Sequence, residues 1–171
     1  MIVKSFGELE FSKLMQVYAE SNRCNGKEQY HDESPQIQLH NAEMDFYHYL
    51  NSVFFHQKNS LYCIWATEGK YRAALRLEPY NDGLLLCALE TEPNSRRQGF
   101  ATSLICETQK YLSRQGSGIL YSHVSKRNTA SLAAHKRCGF QIEKDFAVYA
   151  DGSVLHNHFT LTYEYEKTEI H

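Results

Sequence analysis

Apolar and polar positions alternate along the chain with two different periods. Apolar residues three and four positions apart predict helices over 8–20, 41–59 and 100–115, with a shorter helix over 129–138. Alternating or continuous apolar runs predict strands at 1–6, 61–67, 71–79, 84–89, 119–124, 140–149 and 154–165. The polar stretch 22–35 is interpreted as a loop. The predicted order is β-α-α-β-β-β-α-β-α-β-β, which is typical of a mixed, twisted α/β sheet with helices on both faces.

Size, charge and cysteine content narrow the class of protein. A chain of 171 residues fits one domain, predicted over 1–171, with enough residues to bury a core. The formal net charge of -2 argues against a nucleic-acid-binding protein. No apolar run approaches the roughly 20 residues that span a bilayer, and the N-terminus reaches Glu8 and Glu10 without the long apolar region of a signal peptide. Five cysteines without a Cys-x-x-Cys pair favour a reducing compartment, so a cytoplasmic location is expected.

The turn after the most apolar strand is the strongest candidate for chemistry. It consists of Arg96-Arg97-Gln98-Gly99-Phe100-Ala101 and opens an amphipathic helix. The first amides of a helix lack internal partners and lie at the positive end of its dipole, so they favour an anion. A glycine at position 99 lets a phosphate approach closely, and guanidinium groups match phosphate oxygens. The alternative is an ordinary helix start with solvated arginines and an incidental glycine.

This turn resembles the signature of the GNAT superfamily of acyl-CoA-dependent N-acyltransferases, Arg/Gln-x-x-Gly-x-Gly/Ala, which Arg96, Gly99 and Ala101 fill in order. The resemblance implies a GNAT-like fold: a twisted, largely antiparallel sheet with one central parallel strand pair and helices on both faces. It also implies that the amides of the turn hold the CoA pyrophosphate while the preceding strand flanks the pantetheine arm. The implied cosubstrate is acetyl-CoA, without a metal, and the implied cofactor-binding residues are Leu89, Thr91, Arg96, Arg97, Gln98, Gly99, Phe100, Ala101 and Asn128.

A second stretch, 124–140, matches the same family at the expected distance. Asn128 opens a short helix, and Gly139-Phe140 begins the next strand. Asn128 is also a good helix N-cap and Gly139 a good residue to end a helix, so each has a structural explanation as well. Where many family members carry a tyrosine that protonates the departing thiolate, this chain has His135. Two helical turns separate it from Asn128, so we expect it to face the cleft, as a general acid or as a packing residue.

The resemblance implies direct attack of an amine on the thioester, with a backbone amide of the central strand polarising the carbonyl. The amine must first lose a proton to a base. Glu90, a charge beside an apolar strand, is the first candidate for that base, and His123 at the end of the next strand is the second. Each also has a structural explanation, as a strand end at solvent or as a half-buried histidine. The predicted function is an N-acetyltransferase acting on a primary amine, and the alternative is a non-catalytic acyl-CoA sensor.

The acceptor itself is less well determined. Its pocket is expected between the first two helices and the C-terminal hairpin, where the carboxylates and aromatics of 30–33 and 43–49 could hold a small-molecule or peptide amine. The same residues could equally be helix-start charges and core. His156 and His158 lie on one face of a strand, but no carboxylate or cysteine joins them at ligand spacing, so no metal site is expected. The long last strands could pair across a homodimer, and a monomer is the alternative.

Overall fold

The computed structural model describes residues 1–168, so the last three residues of the predicted 1–171 domain lie outside the described part. The helices are α1 (Phe11–Val17), α2 (Ala19–Gln29), α3 (Pro35–Ser52), α4 (Phe100–Gln115) and α5 (Thr129–Arg137). The strands are β1 (Ile2–Val3), β2 (Leu61–Thr67), β3 (Lys70–Tyr80), β4 (Gly83–Thr91), β5 (Gly118–Ser125), β6 (Gln141–Lys144), β7 (Ala147–Val148), β8 (Val154–Leu155) and β9 (His158–Tyr165).

Within residues 1–168, seven strands form one sheet in the order β1-β2-β3-β4-β5-β9-β6. The neighbours β4 and β5 are parallel and the other neighbouring pairs are antiparallel. The chain crosses between the two parallel strands through α4, because a parallel connection needs a segment long enough to return over the sheet. The predicted fold class is therefore confirmed: a largely antiparallel sheet with one central parallel pair.

Each face of the sheet has its own hydrophobic core. On one face, Leu104 and Ile105 of α4 pack with Leu75, Leu86 and Leu120 of the central strands. The other face carries α1 and α3, and its buried side chains are Val3, Leu9, Leu14, Met15, Val17, Tyr18, Leu50, Phe54, Tyr62, Ile64, Tyr71 and Ala74. The amphipathic stripes predicted for these helices therefore match the faces that they bury.

The predicted loop over 22–35 is wrong, because most of it is the helix α2. Only Asn22 and Gly26 of this helix are buried, so it has no apolar stripe for a periodicity argument to detect. Gly26 permits the close approach of α3, since a Cβ at this position would lie 2.4 Å from the Gln38 carbonyl oxygen. The next helix starts earlier than predicted, at Pro35, where the Ser34 side chain accepts a hydrogen bond from the Ile37 amide.

The two long strands predicted for the tail, 140–149 and 154–165, are interrupted. β6 pairs with β9 only as far as Lys144, and β7 then leaves the main sheet to pair with β8 in a separate two-stranded hairpin. The Thr160 hydroxyl donates a hydrogen bond to the Phe146 carbonyl at this departure point (2.7 Å). The Tyr80 hydroxyl of β3 donates a hydrogen bond to the Val148 carbonyl of this hairpin at 2.7 Å. None of the helices described within 1–168 is long and apolar enough to cross a membrane.

Candidate active site

The central parallel pair separates part-way along its length. Pairing between β4 and β5 runs only from Leu84 opposite Leu120 to Leu86 opposite Ser122. Beyond these residues β5 continues to pair with β9 as far as Ser125, while β4 continues to pair with β3 as far as Thr91. The two strands therefore diverge and leave a gap in the middle of the sheet. A gap at the carboxyl ends of parallel strands is a common place for a ligand in α/β sheets.

A β-bulge lies on β4 where the gap begins. Ala74 is opposite Glu90 and Arg76 is opposite Cys87, so one residue of β3 faces two of β4. Ala88 takes a left-handed conformation with φ of 49°, which is unusual for a residue other than glycine. The Tyr18 hydroxyl donates to the Ala88 carbonyl oxygen at 2.7 Å and accepts from the Tyr62 hydroxyl at 2.8 Å. Two buried tyrosines thus hold a strained bulge in place, as expected where backbone strain serves a function.

The turn after β4 presents its amides outward. Arg97 has φ of 61° and Gly99 has φ of 83°, and Gly99 is the N-cap of α4 without a side-chain cap. Within residues 1–168, the backbone amides of 96–102 donate no hydrogen bond. A Cβ at Gly99 would meet no protein atom within 4 Å, so the space in front of these amides is open. Left-handed residues in such a turn create an anion-binding concavity of backbone amides.

The gap and the turn together form one cleft of about 720 Å³. Every predicted cofactor-binding residue except Gln98 lines it, and the side-chain amide of Gln98 instead donates to the Asn94 carbonyl (3.5 Å). The residues lining the cleft are Leu89, Glu90, Thr91, Arg96, Arg97, Gly99, Phe100, Ala101, Thr102, Asn128, Ala130, Ser131, Ala133, Ala134 and Arg137.

Three guanidinium groups border the cleft. Arg96 donates to the Glu20 carboxylate of α2 at 2.6 Å, an ion pair that ties the turn to the helix missed by the sequence analysis. Arg97 and Arg137 line the cleft as well. Arginine matches phosphate oxygens, so this arrangement favours a ligand with more than one phosphate group.

Helix α5 forms the opposite wall of the cleft. Its lining residues Ala130, Ala134 and Arg137 recur at steps of four and three, and the small alanines leave room for a ligand. Asn128 caps this helix, since its Oδ1 accepts from the Ser131 amide at 3.0 Å, and it also lines the cleft. Sequence reasoning missed Arg137, although the periodic spacing of alanines before it was a usable signal.

A family model confirms the resemblance carried by the turn. The model for the acetyltransferase (GNAT) family matches residues 14–140. The chain belongs to the GNAT family. No curated protein matches the sequence.

Solved structures share this fold over nearly the whole chain. The PaiA N-acetyltransferase from Thermoplasma acidophilum, solved in complex with coenzyme A, is 17% identical, with a TM-score of 0.61 over 96% of this chain and 98% of that one. An N-acetyltransferase from Staphylococcus aureus Mu50 is 15% identical, with a TM-score of 0.62 over 95% and 98%. The aminoglycoside 6'-acetyltransferase type Ii is 15% identical, with a TM-score of 0.60 over 96% of each chain. At these identities the similarity shows the fold alone.

His135 of this GNAT chain does not face the cleft, in contrast to the prediction. Its side chain is only 1% exposed, packs edge-on against Phe140 with ring centroids 5.0 Å apart, and does not line the cleft. The two-turn spacing from Asn128 is misleading because Asn128 is a cap with non-helical ψ of 72°, and its side chain does not follow the phase of the helix. Burial lowers the pKa of His135, and its Nδ1 lies 2.8 Å from the Ser131 carbonyl oxygen.

Glu90 lies where two cavities meet. It lines the large cleft and also a second pocket of about 310 Å³ between α2, α3 and the bulge. Burial raises the pKa of its carboxyl group and the charge of Glu20 adds to this, while the nearby Ser21 hydroxyl and the charge of Arg96 oppose the increase. A carboxylate with a raised pKa accepts a proton more readily than an exposed one.

His123, the second base candidate, lies away from both cavities. Its ring packs edge-on between Tyr80 and Tyr149, with ring centroids 5.2 and 5.0 Å away. Neither ring nitrogen has a hydrogen-bond partner among the described residues. Burial, and secondarily the charge of His158, lower the pKa of His123, so the ring is neutral near pH 7.

The acceptor pocket is expected between the first two helices and the C-terminal hairpin, and the smaller pocket matches this only in part, since it lies between α2, α3 and the sheet. Of the candidates named from the sequence, Asp45, Phe46 and Tyr49 line it. The predicted C-terminal hairpin contributes no lining residue. The remaining lining residues come from the α1–α2 junction, α2, α3 and the sheet: Tyr18, Ser21, Asn22, Asn25, Gln29, Ala42, Arg76, Ala88 and Glu90. Over the described part of the chain, no group of three or more His, Cys, Asp and Glu side chains could hold a metal ion.

Proposed function

We propose that this GNAT protein is an N-acetyltransferase that transfers an acetyl group from acetyl-CoA to a primary amine by direct attack on the thioester. The observation that carries the proposal is the turn 96–102, whose unpaired amides line an open cleft bordered by three arginines. These amides bind the pyrophosphate of acetyl-CoA. Asn128 and the free edge of β4 at Leu89 and Thr91 hold the pantetheine arm in the gap between the strands.

The bulge on β4 supplies the polarising group. A bulge leaves a residue out of the strand ladder, so one of its amides is available to a ligand. In our proposal this amide donates to the thioester carbonyl and stabilises the oxyanion that forms on attack. The hydrogen bond from Tyr18 to the Ala88 carbonyl fixes the direction of that amide before the substrate arrives.

Glu90 is the proposed general base. It borders both the cofactor cleft and the acceptor pocket, so an amine in the pocket lies between Glu90 and the thioester. Its raised pKa brings it closer to the working pH, which favours proton transfer. His123 remains the second candidate, but its ring lies between two tyrosines and lines neither cavity.

Protonation of the departing thiolate does not need His135. The Nδ1 atom donates to the Ser131 carbonyl, so in the neutral ring Nε2 carries no proton to give. A thiol has a pKa of about 8.5, so water in the open cleft can supply the proton. All five cysteines are free, which suits the cytoplasm as the working compartment.

A titration followed by an activity screen tests the proposal. Thermal unfolding is measured with acetyl-CoA, longer acyl-CoAs and NAD, and release of free thiol is then followed across a panel of amines. We expect stabilisation by acetyl-CoA and not by NAD, and thiol release with at least one amine. Stabilisation without thiol release from any amine would favour the acyl-CoA sensor, and no stabilisation by any CoA thioester would contradict both functions.

A further inference from the structure

The acceptor pocket contains a buried positive charge that the proposed reaction does not use. Arg76 of β3 has a side chain that is only 18% exposed. Its Cζ atom lies 5.0 Å from the centroid of the Tyr49 ring, 5.8 Å from that of Phe46 and 5.9 Å from that of Phe54. These aromatic contacts stabilise the guanidinium and fix its orientation. The rings contact the faces of the planar group, so its N–H groups remain available for hydrogen bonds.

The N–H groups of Arg76 are poorly satisfied. Its Nε forms an ion pair with Oε1 of Glu78 at 3.3 Å, and this oxygen also accepts a hydrogen bond from the Tyr49 hydroxyl at 3.0 Å. Among the described residues Nε has no partner with hydrogen-bond geometry, whereas the terminal nitrogens are not among the buried unpaired atoms, and Arg76 lines the pocket. A guanidinium has five N–H donors, and burying charged donors without partners is costly. The free end of the group therefore favours a ligand that brings its own acceptors.

The same pocket carries the opposite charge at its other end. Arg76 is opposite Cys87 and Ala74 is opposite Glu90, so Arg76 and Glu90 share one face of the sheet, on opposite sides of the bulge. Two strand positions separate them, or roughly 7 Å along the strand. No ion pair joins the two groups among the described residues. A pocket of about 310 Å³ lined by the guanidinium of Arg76, the carboxyl group of Glu90 and an Asp45 that already accepts from the Tyr30 hydroxyl matches a small molecule with both charges.

We propose that the acceptor carries a carboxylate as well as its amine, as an amino acid or a short peptide does. Arg76 binds that carboxylate through its two terminal nitrogens, and the amine then lies beside Glu90 and the thioester. This inference rests on the proposed function, because it assigns the pocket to the acceptor. A polyamine without an anionic group is disfavoured, since arginine keeps its positive charge at any working pH.

Matched pairs of compounds test the inference without any change to the protein. Amino acids and dipeptides, each paired with its C-terminal amide, are titrated calorimetrically into the wild-type protein saturated with CoA. We expect at least one acid to bind about tenfold or more tightly than its amide, because a charge-assisted pair is lost in the amide. The amino-acid and dipeptide arms show which length the pocket accepts.

Variants of Arg76 then assign the effect to this residue. Arg76→Met should abolish the preference for the acid over its amide, while Arg76→Lys should retain part of that preference. Circular dichroism verifies that each variant is folded. Equal affinities for acid and amide in the wild-type protein, or no binding of any pair, would overturn the inference.

The two proposals fail in distinguishable ways. Acetylation of amines with equal use of acid and amide would leave the proposed function standing and remove the carboxylate site. Selective binding of an acid without thiol release would support the carboxylate site and contradict the acetyl-transfer reaction.

Discussion

The two cavities that meet at Glu90 are built from different parts of the chain. The cofactor cleft relies on backbone: a turn of about six residues presents its unpaired amides, and a separated strand pair leaves its edge free. The proposed acceptor pocket relies on side chains that α2, α3, β3, β4 and the α1–α2 junction bring together. A site built from backbone amides requires only a glycine and small side chains in the first helical turn. A site built from side chains changes with every residue that lines it. A cofactor site of the proposed kind therefore leaves a short signature in the sequence, whereas an acceptor site of the proposed kind leaves none.

The largest expected effect comes from putting a carboxylate into the backbone site. Gly99→Glu places a negative charge in front of the amides, where it competes with the pyrophosphate. Two like charges about 4 Å apart near a protein surface repel each other by about 4 kcal/mol, which is on the order of 1000-fold in affinity for acetyl-CoA. Calorimetry with acetyl-CoA measures the loss.

Gly152→Glu is the matched control for backbone strain. Gly152 has the same φ of 83° and the same open surroundings, but it lies in the β7–β8 connection and does not line the cleft. Its affinity for acetyl-CoA should equal that of the wild type. A similar loss in both variants would show that strain, not the anion site, is responsible.

The carboxylate of Glu90, which lines both cavities, should affect turnover and not the affinity for acetyl-CoA. Glu90→Gln removes the base, so kcat should fall by about 100-fold near neutral pH. Because the pKa of Glu90 is raised, the wild-type rate should increase as the pH rises through that pKa. In the variant the rate should not increase over this pH range. Activity should return at high pH, where the amine is already deprotonated and needs no base.

The exposed carboxylate of Glu164 on β9 offers a control, since Glu164→Gln should change neither kcat nor the pH profile. An unchanged pH–rate profile in Glu90→Gln would exclude Glu90 as the base and return attention to His123.

A smaller effect is expected at the tyrosines behind the bulge. Tyr18→Phe removes the hydrogen bond to the Ala88 carbonyl, worth about 1 kcal/mol, so kcat should fall about fivefold. Tyr62→Phe removes only the bond to the Tyr18 hydroxyl and should lower kcat less. Steady-state kinetics compares them, and equal losses would indicate a general effect on stability instead of on the bulge.

The smallest effect on turnover is expected at His135. His135→Phe should keep kcat within about twofold of wild type, because the buried ring contacts no substrate. The pKa of His135 is lowered in the folded state. As the pH falls below about 6.5, the unfolded chain therefore takes up a proton more readily than the folded chain, and the free energy of unfolding falls. Urea unfolding at pH 7.5 and 5.5 should show a smaller decrease for the variant. A large loss of kcat would instead support His135 as the general acid.

The sequence predicted those features that depend on local backbone requirements. The turn, its helix and the N-cap Asn128 follow from the spacing of glycine, asparagine and apolar residues. Helix α2 was missed because its side chains are polar and almost wholly exposed. His135 was misplaced because the cap does not follow the helical phase, and Arg76 was overlooked because only tertiary packing brings a strand residue against the aromatics of α3.

The central claim is that the amides of the turn hold the phosphates of acetyl-CoA, and amide chemical shifts report on this directly. Nitrogen–proton correlation spectra of the ¹⁵N-labelled protein are compared with acetyl-CoA and with acetyl-pantetheine, which lacks phosphates. We predict large downfield proton shifts at Gln98, Gly99, Phe100 and Ala101 with acetyl-CoA and small ones with acetyl-pantetheine. Shifts of equal size with both ligands, or no shift at these four amides when acetyl-CoA binds, would contradict the account.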